Sequence, residues 1–445
     1  MDWRKIKLDL LMAMGSQLLQ KLAGFVVLMV LARHLDKGVM GQFFLAGTLA
    51  TFLALATELG VNRHLMRGVA QQPARALAAL GHVLALRLPL MLIGYGVMAG
   101  AVFLLKRELT IPVLLTSLYV LIQEYSYSFG SLMLGLRRVA MRMVTTLIGQ
   151  SLTVALVLGA VAMDAGLTTV LLGYVTANVV MIVLTVVLVR RNIGPFTLDW
   201  RLPEAWQIVR ESLPFFLLSV LGVIHFKVDS LMLGILRDYQ QVATYDAAYK
   251  FLEVSRFVVR PAAMVFFPLC SALAAQRDWP AYERVMRKLL MVSGGSGLAA
   301  AGIMMIVSGW VVSLVFGGAY ADSVAVLRIL YLAVPSVFLG FVATFLAPAL
   351  HLERSAVQAT GGCLMLNIAL NALVIPRHGA PGAAWATLAT ETILAGWLLG
   401  LIGLRLDALK RGLVLAPVAR GAAQANASSG PMAGGEEIMH HDATL

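Results

Sequence analysis

The sequence predicts an all-α polytopic membrane protein, and three observations predict it: high hydropathy, little charge and long apolar runs. Hydrophobic residues make up 60% of the 445 residues, only 13% are charged, and the mean hydropathy is +0.84. Soluble proteins carry about 25% charged residues. The apolar runs last about 20 residues and lack the alternation of barrel strands. Because spanning backbone must satisfy its own polar groups, these runs favour helices.

The apolar runs predict twelve transmembrane helices. The basic start, Arg4, Lys5 and Lys7, resembles a signal peptide. The run that follows is long, however, and no small-residue cleavage site comes after it, so we expect it to remain as the first span. The twelve predicted spans are 10–32, 40–60, 82–105, 112–134, 144–163, 167–189, 213–236, 247–272, 288–316, 325–350, 357–375 and 382–404.

The distribution of lysine and arginine predicts the orientation of these spans. With a cytoplasmic N-terminus, cytoplasmic segments hold 22 of the 35 basic residues and the opposite loops hold 6. Positive charge accumulates on the cytoplasmic side of membrane proteins, so both termini are predicted to be cytoplasmic. The net charge of +12 is then explained by topology and by anionic membrane lipids, and it does not indicate nucleic-acid binding.

A weak internal repeat predicts two parallel six-helix bundles. The segment 31–43 aligns with 233–245 at an offset of 202, and Leu136, Arg138, Ala140 and Gly166 align with residues 216 positions later. An even number of spans per copy gives both copies the same orientation, with a cavity between them. The predicted domains are 1–189, a cytoplasmic linker at 190–212, 213–404, and a cytoplasmic tail at 405–445 that is disordered towards its end.

Short loops and missing motifs argue against an enzyme. Every outward loop has about ten residues or fewer, and no phosphate-binding loop, zinc-protease motif or serine-hydrolase motif is present. Cys270 and Cys363 lie far apart within spans and predict neither a disulfide nor a metal site. His440 and His441 stand in the tail, where disorder is the preferred interpretation. We therefore expect no catalytic residue, no metal and no cofactor.

One predicted helix, span 8, carries most of the charge inside the membrane. Its polar residues recur every three or four positions, which keeps them on about a third of the helix circumference. They are Tyr249, Lys250, Glu253, Arg256 and Arg260. The stripe fits a ladder of ion pairs along the helix. It also fits a cavity wall that receives an anionic group, because arginine and lysine both bind phosphate.

Other spans carry polar faces that we expect to meet span 8. Gln17 and Lys21 share a face of span 1. In span 7, His225 and Asp229 lie one turn apart and predict a tethered pair, whereas Lys227 points roughly 160° away. In the last two spans, Asn367 and Asn371 form one i,i+4 pair and Thr387 and Glu391 another, for which hydrogen bonding between helices is the preferred interpretation.

Carboxylates inside spans are candidates for proton or sodium coupling, since burial makes protonation responsive to conformation. They are Glu58, Glu124, Asp229, Glu253 and Glu391. Helix-pairing roles explain each of them equally well. Arg87 and Arg328 lie near predicted span ends, so we expect their guanidinium groups to reach the membrane surface.

Four segments give the chain a resemblance to polysaccharide transporters, the O-antigen-type flippases of the superfamily that also holds multidrug extruders. The late segment is Asn367-x-x-x-Asn371-x-x-x-Ile375-Pro376-x-x-Gly379-x-x-Gly382-Ala383-Ala384-x-Ala386-Thr387. The others are Phe316–Tyr320 with Leu327–Leu330, Val228–Gly234 with Tyr245 and Ala248, and Glu58–Gly60. The resemblance covers residues 15 to 405.

The resemblance implies a MATE-like, alternating-access carrier in the bacterial inner membrane. Such a carrier moves a polyprenyl-diphosphate-linked oligosaccharide to the outer leaflet through a cationic cavity, without ATP hydrolysis. Positions matching that cavity would be Lys21 with Gln17, and Tyr249, Lys250, Arg256 and Arg260 of span 8. A polysaccharide polymerase and glycosyltransferases are implied partners.

Two other functions compete with this one. The first is an ion-coupled exporter of drugs or small metabolites from the same superfamily, although those extruders often carry an acidic residue where this chain has Lys21. The second is a non-transporting scaffold of a glycan-assembly complex. Related lipid II flippases have fourteen spans, whereas twelve are predicted here.

Overall fold

The computed structural model describes residues 3–200 and 202–412, and this part of the chain consists of helices joined by short connections. The predicted tail beyond residue 412, with His440 and His441, lies outside the described residues. The α-helices are α1 (Trp3–His34), α2 (Lys37–Glu58), α3 (Val61–Gln71), α4 (Ala76–Leu105), α5 (Thr110–Gly135), α6 (Val139–Ala162), α7 (Leu167–Asn192), α8 (Leu202–Leu236), α9 (Tyr239–Ala275), α10 (Trp279–Phe316), α11 (Ser323–Leu332), α12 (Val334–Leu346) and α13 (Glu353–Lys410).

Seven helices in the described ranges are long and apolar enough to cross a membrane. They are α2, α4, α5, α6, α7, α10 and α13. Helices α11 and α12 meet at 45° and would add an eighth span if they act together. The protein is therefore a multi-pass membrane protein, as the hydropathy predicts. The twelve predicted spans coincide with helices or this bent pair to within two residues, while their number stays a prediction.

Local side chains explain where several helices begin. Asp238 precedes α9 and its carboxylate accepts a hydrogen bond from the backbone N–H of Gln241 at 2.9 Å. Asp278 caps α10 in the same way, through the N–H of Ala281 at 3.0 Å. Such aspartates satisfy backbone donors that the first helical turn leaves free. They therefore fix where two of the longest helices start.

Helix α13 contains predicted spans 11 and 12 and bends sharply between them at Gly379. This glycine has φ 56° and ψ −137°, a backbone conformation that side-chain-bearing residues rarely adopt. The side-chain oxygen of Gln241 accepts a hydrogen bond from the N–H of Ala380 at 2.8 Å, which ties the bend to α9. The resemblance motif that includes Gly379 thus corresponds to a kink between two helical segments.

We call α1–α7 the N-terminal half and α8–α13 the C-terminal half. We call the end of the molecule that holds the α1–α2, α4–α5 and α8–α9 connections the loop end. The opposite end, with residues 193–200, is the linker end. At the loop end α2 packs directly against α8 and α9. A Cβ atom on Gly41 would lie 1.8 Å from the carbonyl oxygen of Tyr239, so only glycine permits this approach.

Polar contacts also join the two halves at the loop end. Lys37 donates to both carboxylate oxygens of Asp322, at 2.6 and 2.5 Å. The hydroxyl of Tyr239 donates to Glu108 at 2.7 Å, and Arg33 donates to the backbone carbonyl of Leu314. A cavity of about 470 Å³ lies at this seam, lined by residues 32–37 and 316–319.

The hydrophobic core shows the same asymmetry between the two ends. One large buried cluster combines loop-end residues of the N-terminal half, such as Leu31 and Met40, with Leu233, Val242 and many other residues of the C-terminal half. The second cluster lies at the linker end and, in the described ranges, draws on α3, α4, α5 and α7 with Ile208 of α8 alone. The halves therefore share a core at the loop end.

Asp199, Ile208 and Glu211 pack against the N-terminal half. The ring Nδ1 of His82 in α4 lies 3.0 Å from the carbonyl oxygen of Asp199, and Nδ1 of His64 in α3 lies 3.4 Å from the carboxylate of Glu211. A smaller cavity, about 210 Å³, lies between these histidines and Ile208. The predicted linker is thus held by side-chain contacts.

Candidate functional site

Lysine side chains from separate helices converge on Glu253 in the interior of the molecule. The ammonium group of Lys250 donates to Glu253 at 2.7 Å, one turn earlier on α9. The ammonium nitrogen of Lys227, on α8, lies 4.0 Å from the other carboxylate oxygen. Lys21 of α1 lies within electrostatic range of the same carboxylate. We call Lys21, Lys227, Lys250 and Glu253 the Glu253 cluster.

The Glu253 cluster brings the two halves of the chain together. Helix α1 belongs to the N-terminal half, whereas α8 and α9 belong to the C-terminal half. The rings of Phe25 and Phe251 meet edge to face with centroids 6.3 Å apart, which holds α1 beside α9 at this level. Lys21 stands one turn before Phe25 and Glu253 two residues after Phe251, so the aromatic contact keeps α1 and α9 adjacent at the level of these charged residues.

The side chains of the Glu253 cluster are partly accessible. Lys21 is exposed, and the side chains of Lys227, Lys250 and Glu253 are 20%, 29% and 37% exposed. Three ammonium groups and one carboxylate thus lie together where α1, α8 and α9 meet, and each is partly accessible. This arrangement can bind an anion that reaches the interior.

Arg256 lies deeper than these lysines. Its guanidinium group stacks over the ring of Phe226, 4.0 Å from the ring centroid, and its Nη2 lies 3.6 Å from a carboxylate oxygen of Glu391. Tyr249 is buried and stacks on Tyr245 at 5.5 Å. The predicted stripe on span 8 therefore contains both ion pairs and packed aromatic residues. The side chains of Arg260 and Gln17 lie outside the described part.

A buried polar network surrounds Asp229 between α8, α9 and α13. The hydroxyls of Tyr245 and Thr387 donate to one carboxylate oxygen at 2.6 and 3.0 Å, and the side-chain amide of Asn371 donates to the other at 2.5 Å. The Asn371 amide also donates to Asn367 at 2.9 Å, so this i,i+4 pair lies within the network. Neutral donors thus hold a fully buried carboxylate.

The predicted tether between His225 and Asp229 is wrong. His225 Nε2 instead lies 3.1 Å from the carboxylate of Glu391 on α13. Lys227, predicted to point roughly 160° away from His225 and Asp229, lies beside Glu253. Helix α8 packs against both α13 and α9, so residues 160° apart on it reach different charged partners.

A second polar cluster lies near the linker end of the N-terminal half. Arg87 is fully buried, which contradicts the expectation that it reaches the membrane surface. Its Nη1 donates to the Glu124 carbonyl at 2.8 Å, to Ser128 at 2.8 Å and to Asn62 at 3.2 Å, and its Nη2 lies 3.6 Å from the Glu124 carboxylate. Helix α4 begins eleven residues before Arg87, so this arginine stands well inside the helix.

The remaining coupling candidate, Glu58, has a local structural contact. Its carboxylate accepts hydrogen bonds from the backbone N–H groups of Gly60 at 2.8 Å and Asn62 at 3.1 Å. These donors belong to the start of α3, where an anion is favourable. Within the described ranges no group of three or more His, Cys, Asp or Glu side chains could hold a metal ion, and Cys270 and Cys363 are buried free thiols.

Solved structures share this fold across most of their length. An inward-facing multidrug resistance MATE transporter of the MOP superfamily has TM-score 0.68 and 15% identity, covering 88% of this chain and 96% of its own. The lipid II flippase MurJ in an inward closed conformation has TM-score 0.66 and 12% identity, covering 89% of both chains. A MOP superfamily transporter from Pyrococcus furiosus is described as having a binding pocket of reversed polarity. It has TM-score 0.59 and 15% identity, covering 91% of this chain and 95% of its own.

Sequence comparison gives a family for this fold. Comparison with curated proteins finds no match. Residues 8–274, more than half of the chain, match the model of a family described as polysaccharide biosynthesis protein. The chain therefore belongs to the polysaccharide biosynthesis protein family.

Proposed function

We propose that the protein is a transporter that flips a polyprenyl-diphosphate-linked oligosaccharide from the cytoplasmic to the outer leaflet of the bacterial inner membrane. In this proposal twelve spans form two bundles, both termini are cytoplasmic, and surface polysaccharide synthesis uses the product. The polymerase and glycosyltransferases of that synthesis are the proposed partners.

The observation that carries this proposal is the Glu253 cluster. Three partly accessible lysines from α1, α8 and α9 lie where the two halves meet, and they outnumber the partly exposed carboxylate beside them. Burying charged groups is unfavourable unless they serve a partner or a pathway. A diphosphate supplies the negative charges that these ammonium groups can bind. Arg256 lies deeper than the cluster, and its guanidinium group would donate two parallel hydrogen bonds to phosphate oxygens.

The physical problem of flipping explains why such a site should lie between two halves. A diphosphate with several sugars crosses bare hydrocarbon only at a cost on the order of tens of kcal/mol, while the prenyl tail gains nothing by leaving the lipid. A carrier must therefore shelter the headgroup and leave the tail outside. Outward movement of negative charge is favoured by about 2.3 kcal/mol per charge per 100 mV when the interior is negative, so flux needs no ATP.

The different composition of the hydrophobic core at the two ends supports alternating access. The halves share a core and polar contacts at the loop end, whereas the linker-end cluster belongs to the N-terminal half and Ile208. With cytoplasmic termini, this corresponds to a state closed to the outside. The TM-score of 0.68 to the inward-facing MATE transporter, against 0.60 to the outward-facing one, agrees with that assignment.

Asp229 is the proposed site of ion coupling. Its partners are neutral donors, whereas Glu124 and Glu391 contact basic side chains and Glu58 caps α3. A carboxylate held by hydroxyl and amide groups can exchange a proton or bind a small cation without losing a fixed counter-charge. Replacing Asp229 with asparagine should therefore make transport insensitive to an imposed ion gradient.

Reconstituted transport tests the proposal directly. Proteoliposomes receive a fluorescent polyprenyl-diphosphate sugar, and a membrane-impermeant quencher reports its movement between leaflets. Wild type should exceed protein-free vesicles, and Lys250→Glu should lose this activity. Lys288→Glu is the matched control, because Lys288 is an exposed lysine on α10.

Folding is monitored by size exclusion, and Lys250→Gln and Lys250→Arg provide milder changes. We expect the arginine variant to retain activity and the glutamine variant to lose most of it. Wild-type flipping in a folded Lys250→Glu protein would overturn the proposed site. Absence of flipping by wild type itself would overturn the proposed function.

A further inference from the structure

Glu253 differs from the other acidic residues around the proposed site. The carboxylates of Asp229, Asp246 and Glu391 are nearly buried, at 2%, 3% and 6% exposure of the residue. Each is also held by a partner other than lysine: Asp229 by the donors described above, Asp246 by the Ser230 hydroxyl at 2.5 Å, and Glu391 by the His225 ring. These hydrogen bonds hold the three carboxylates independently of an anion that binds the lysines.

Glu253 is more accessible, and its contacts in the described ranges are with lysines. Its carboxylate receives Lys250 at 2.7 Å and Lys227 at 4.0 Å, with Lys21 in electrostatic range. Because lysine side chains are long and flexible, such pairs rearrange without moving the backbone. One carboxylate thus occupies the position between ammonium groups that an incoming phosphate would take.

We propose that Glu253 is an exchangeable internal counter-ion that a phosphate group of the substrate displaces from the lysines, and that returns to them to release the substrate. This inference rests on the proposed function and assigns Glu253 a role in substrate release in place of ion coupling. In the empty protein Glu253 neutralises part of the cluster. When a diphosphate binds, its oxygens contact the lysines and Glu253 turns towards the water in the cavity.

The counter-ion explains how binding can be reversible. Three lysines without an internal acid would hold a diphosphate strongly, and a carrier that binds its substrate too tightly turns over slowly. A carboxylate tethered beside the lysines competes locally at a high effective concentration. It also favours substrates with more negative charge than one carboxylate carries, which selects a diphosphate over a neutral polyprenol.

The first test compares lipid binding by wild type and Glu253→Gln in nanodiscs. The probes are undecaprenyl diphosphate and the uncharged undecaprenol, and affinity is measured by native mass spectrometry. Wild type should bind the diphosphate more tightly than the polyprenol. Glu253→Gln should bind the diphosphate about tenfold more tightly than wild type does, because the variant has no carboxylate that competes with the diphosphate for the lysines. Its flipping rate at saturating substrate should fall.

A matched control and a milder variant accompany this test. Glu283 is paired with Arg287 and Lys410 at the linker end, so Glu283→Gln removes an acid from ion pairs outside the cavity. It should leave both affinities unchanged. Glu253→Asp keeps the charge on a shorter side chain and should give an affinity between those of wild type and Glu253→Gln.

A second measurement needs no substitution. A carbodiimide activates the Glu253 carboxylate, and the neutral amine of Lys227 attacks it to form an amide with net loss of one water, the carbodiimide becoming its urea. Mass spectrometry of peptides from α8 and α9 detects this link. Undecaprenyl diphosphate should suppress the link in wild type, and undecaprenol should not.

The outcomes distinguish the proposed transport function from the counter-ion role of Glu253. Equal binding of both lipids by wild type would overturn the proposed function and this inference with it. A wild type that prefers the diphosphate, combined with unchanged or weaker binding in folded Glu253→Gln, would overturn the counter-ion role alone. Persistence of the link in the presence of bound diphosphate would do the same. Mere structural damage would lower the affinity, so tighter binding is specific to this role.

Discussion

Neutralising the Lys37–Asp322 ion pair should open the loop end of the molecule. Lys37 begins α2 in the N-terminal half, and Asp322 precedes α11 in the C-terminal half, so the pair exists only while the halves are together at this end. The proposed changes are Lys37→Met and Asp322→Asn, each of which removes one charge and keeps a similar side-chain size. Neither residue contacts the proposed substrate site.

The size of the effect follows from the exposure of the two side chains. The ammonium group contacts both carboxylate oxygens, at 2.6 and 2.5 Å, but Asp322 is 51% exposed and Lys37 is 15% exposed. Exposed pairs contribute about 0.2–1 kcal/mol, because water screens them and two side chains lose freedom. We take the upper end, about 1 kcal/mol, which shifts a two-state equilibrium about fivefold.

Distance measurement between spin labels tests this shift. Labels at Met163 and Ala319 lie on exposed loop-end positions of the two halves, in a background where Cys270 and Cys363 are alanine. Double electron–electron resonance in nanodiscs then gives the populations of short and long distances. Each single variant should raise the population of long distances about fivefold, and Lys37→Met combined with Asp322→Asn should add little.

Two further variants decide the interpretation. Lys37→Asp combined with Asp322→Lys restores opposite charges and should restore the short distances, while Lys288→Met at the linker end should change nothing. Unchanged distances in both single variants would refute the reasoning. So would single effects that simply add in the double variant, because they would show that the two residues act separately.

Other substitutions test the packing described above. Gly41→Val places a side chain where α2 meets the start of α9 and should also lengthen the loop-end distances between the labels. Arg87→Leu removes the hydrogen bonds to Asn62 and Ser128 and the ion pair to the partly exposed Glu124 carboxylate. It should cost about 1–3 kcal/mol, seen as a lower thermal midpoint in detergent, whereas the exposed Arg63→Leu should cost less than about 0.5 kcal/mol. Thr387→Val removes one donor from the buried network and should cost about 1–2 kcal/mol, and the exposed Thr392→Val should be near neutral in the same assay.

Helix positions were predictable from the sequence because hydropathy is a local property. Each predicted span coincides with a helix or the bent α11–α12 pair to within two residues, and the pairing of Asn367 with Asn371 follows from their spacing of four. The charged stripe of span 8 was likewise visible from periodicity, and its first ion pair, Lys250 with Glu253, joins residues one turn apart. Features that depend on residues close together in the sequence could therefore be predicted.

Contacts between distant helices were not predictable in this way. His225 and Glu391 are 166 positions apart, and nothing in either segment identifies the other as its partner. The different direction of Lys227 was predictable from its spacing to His225, but its partner Glu253, which stands on another helix, was not. Arg87 was misjudged because hydropathy placed the start of its span too late along α4.

The packing of Asp199, Ile208 and Glu211 on the N-terminal half bears on how the protein can be divided. Ile208 fills the linker-end core of the N-terminal half, and His64 and His82 contact acidic groups of the same segment. A fragment that ends after α7 would lack Ile208 and so have a cavity in its core. The remaining fragment would expose Ile208 to solvent. Exchange of halves between relatives should accordingly treat residues 1–212 as one inherited unit, with its boundary inside α8.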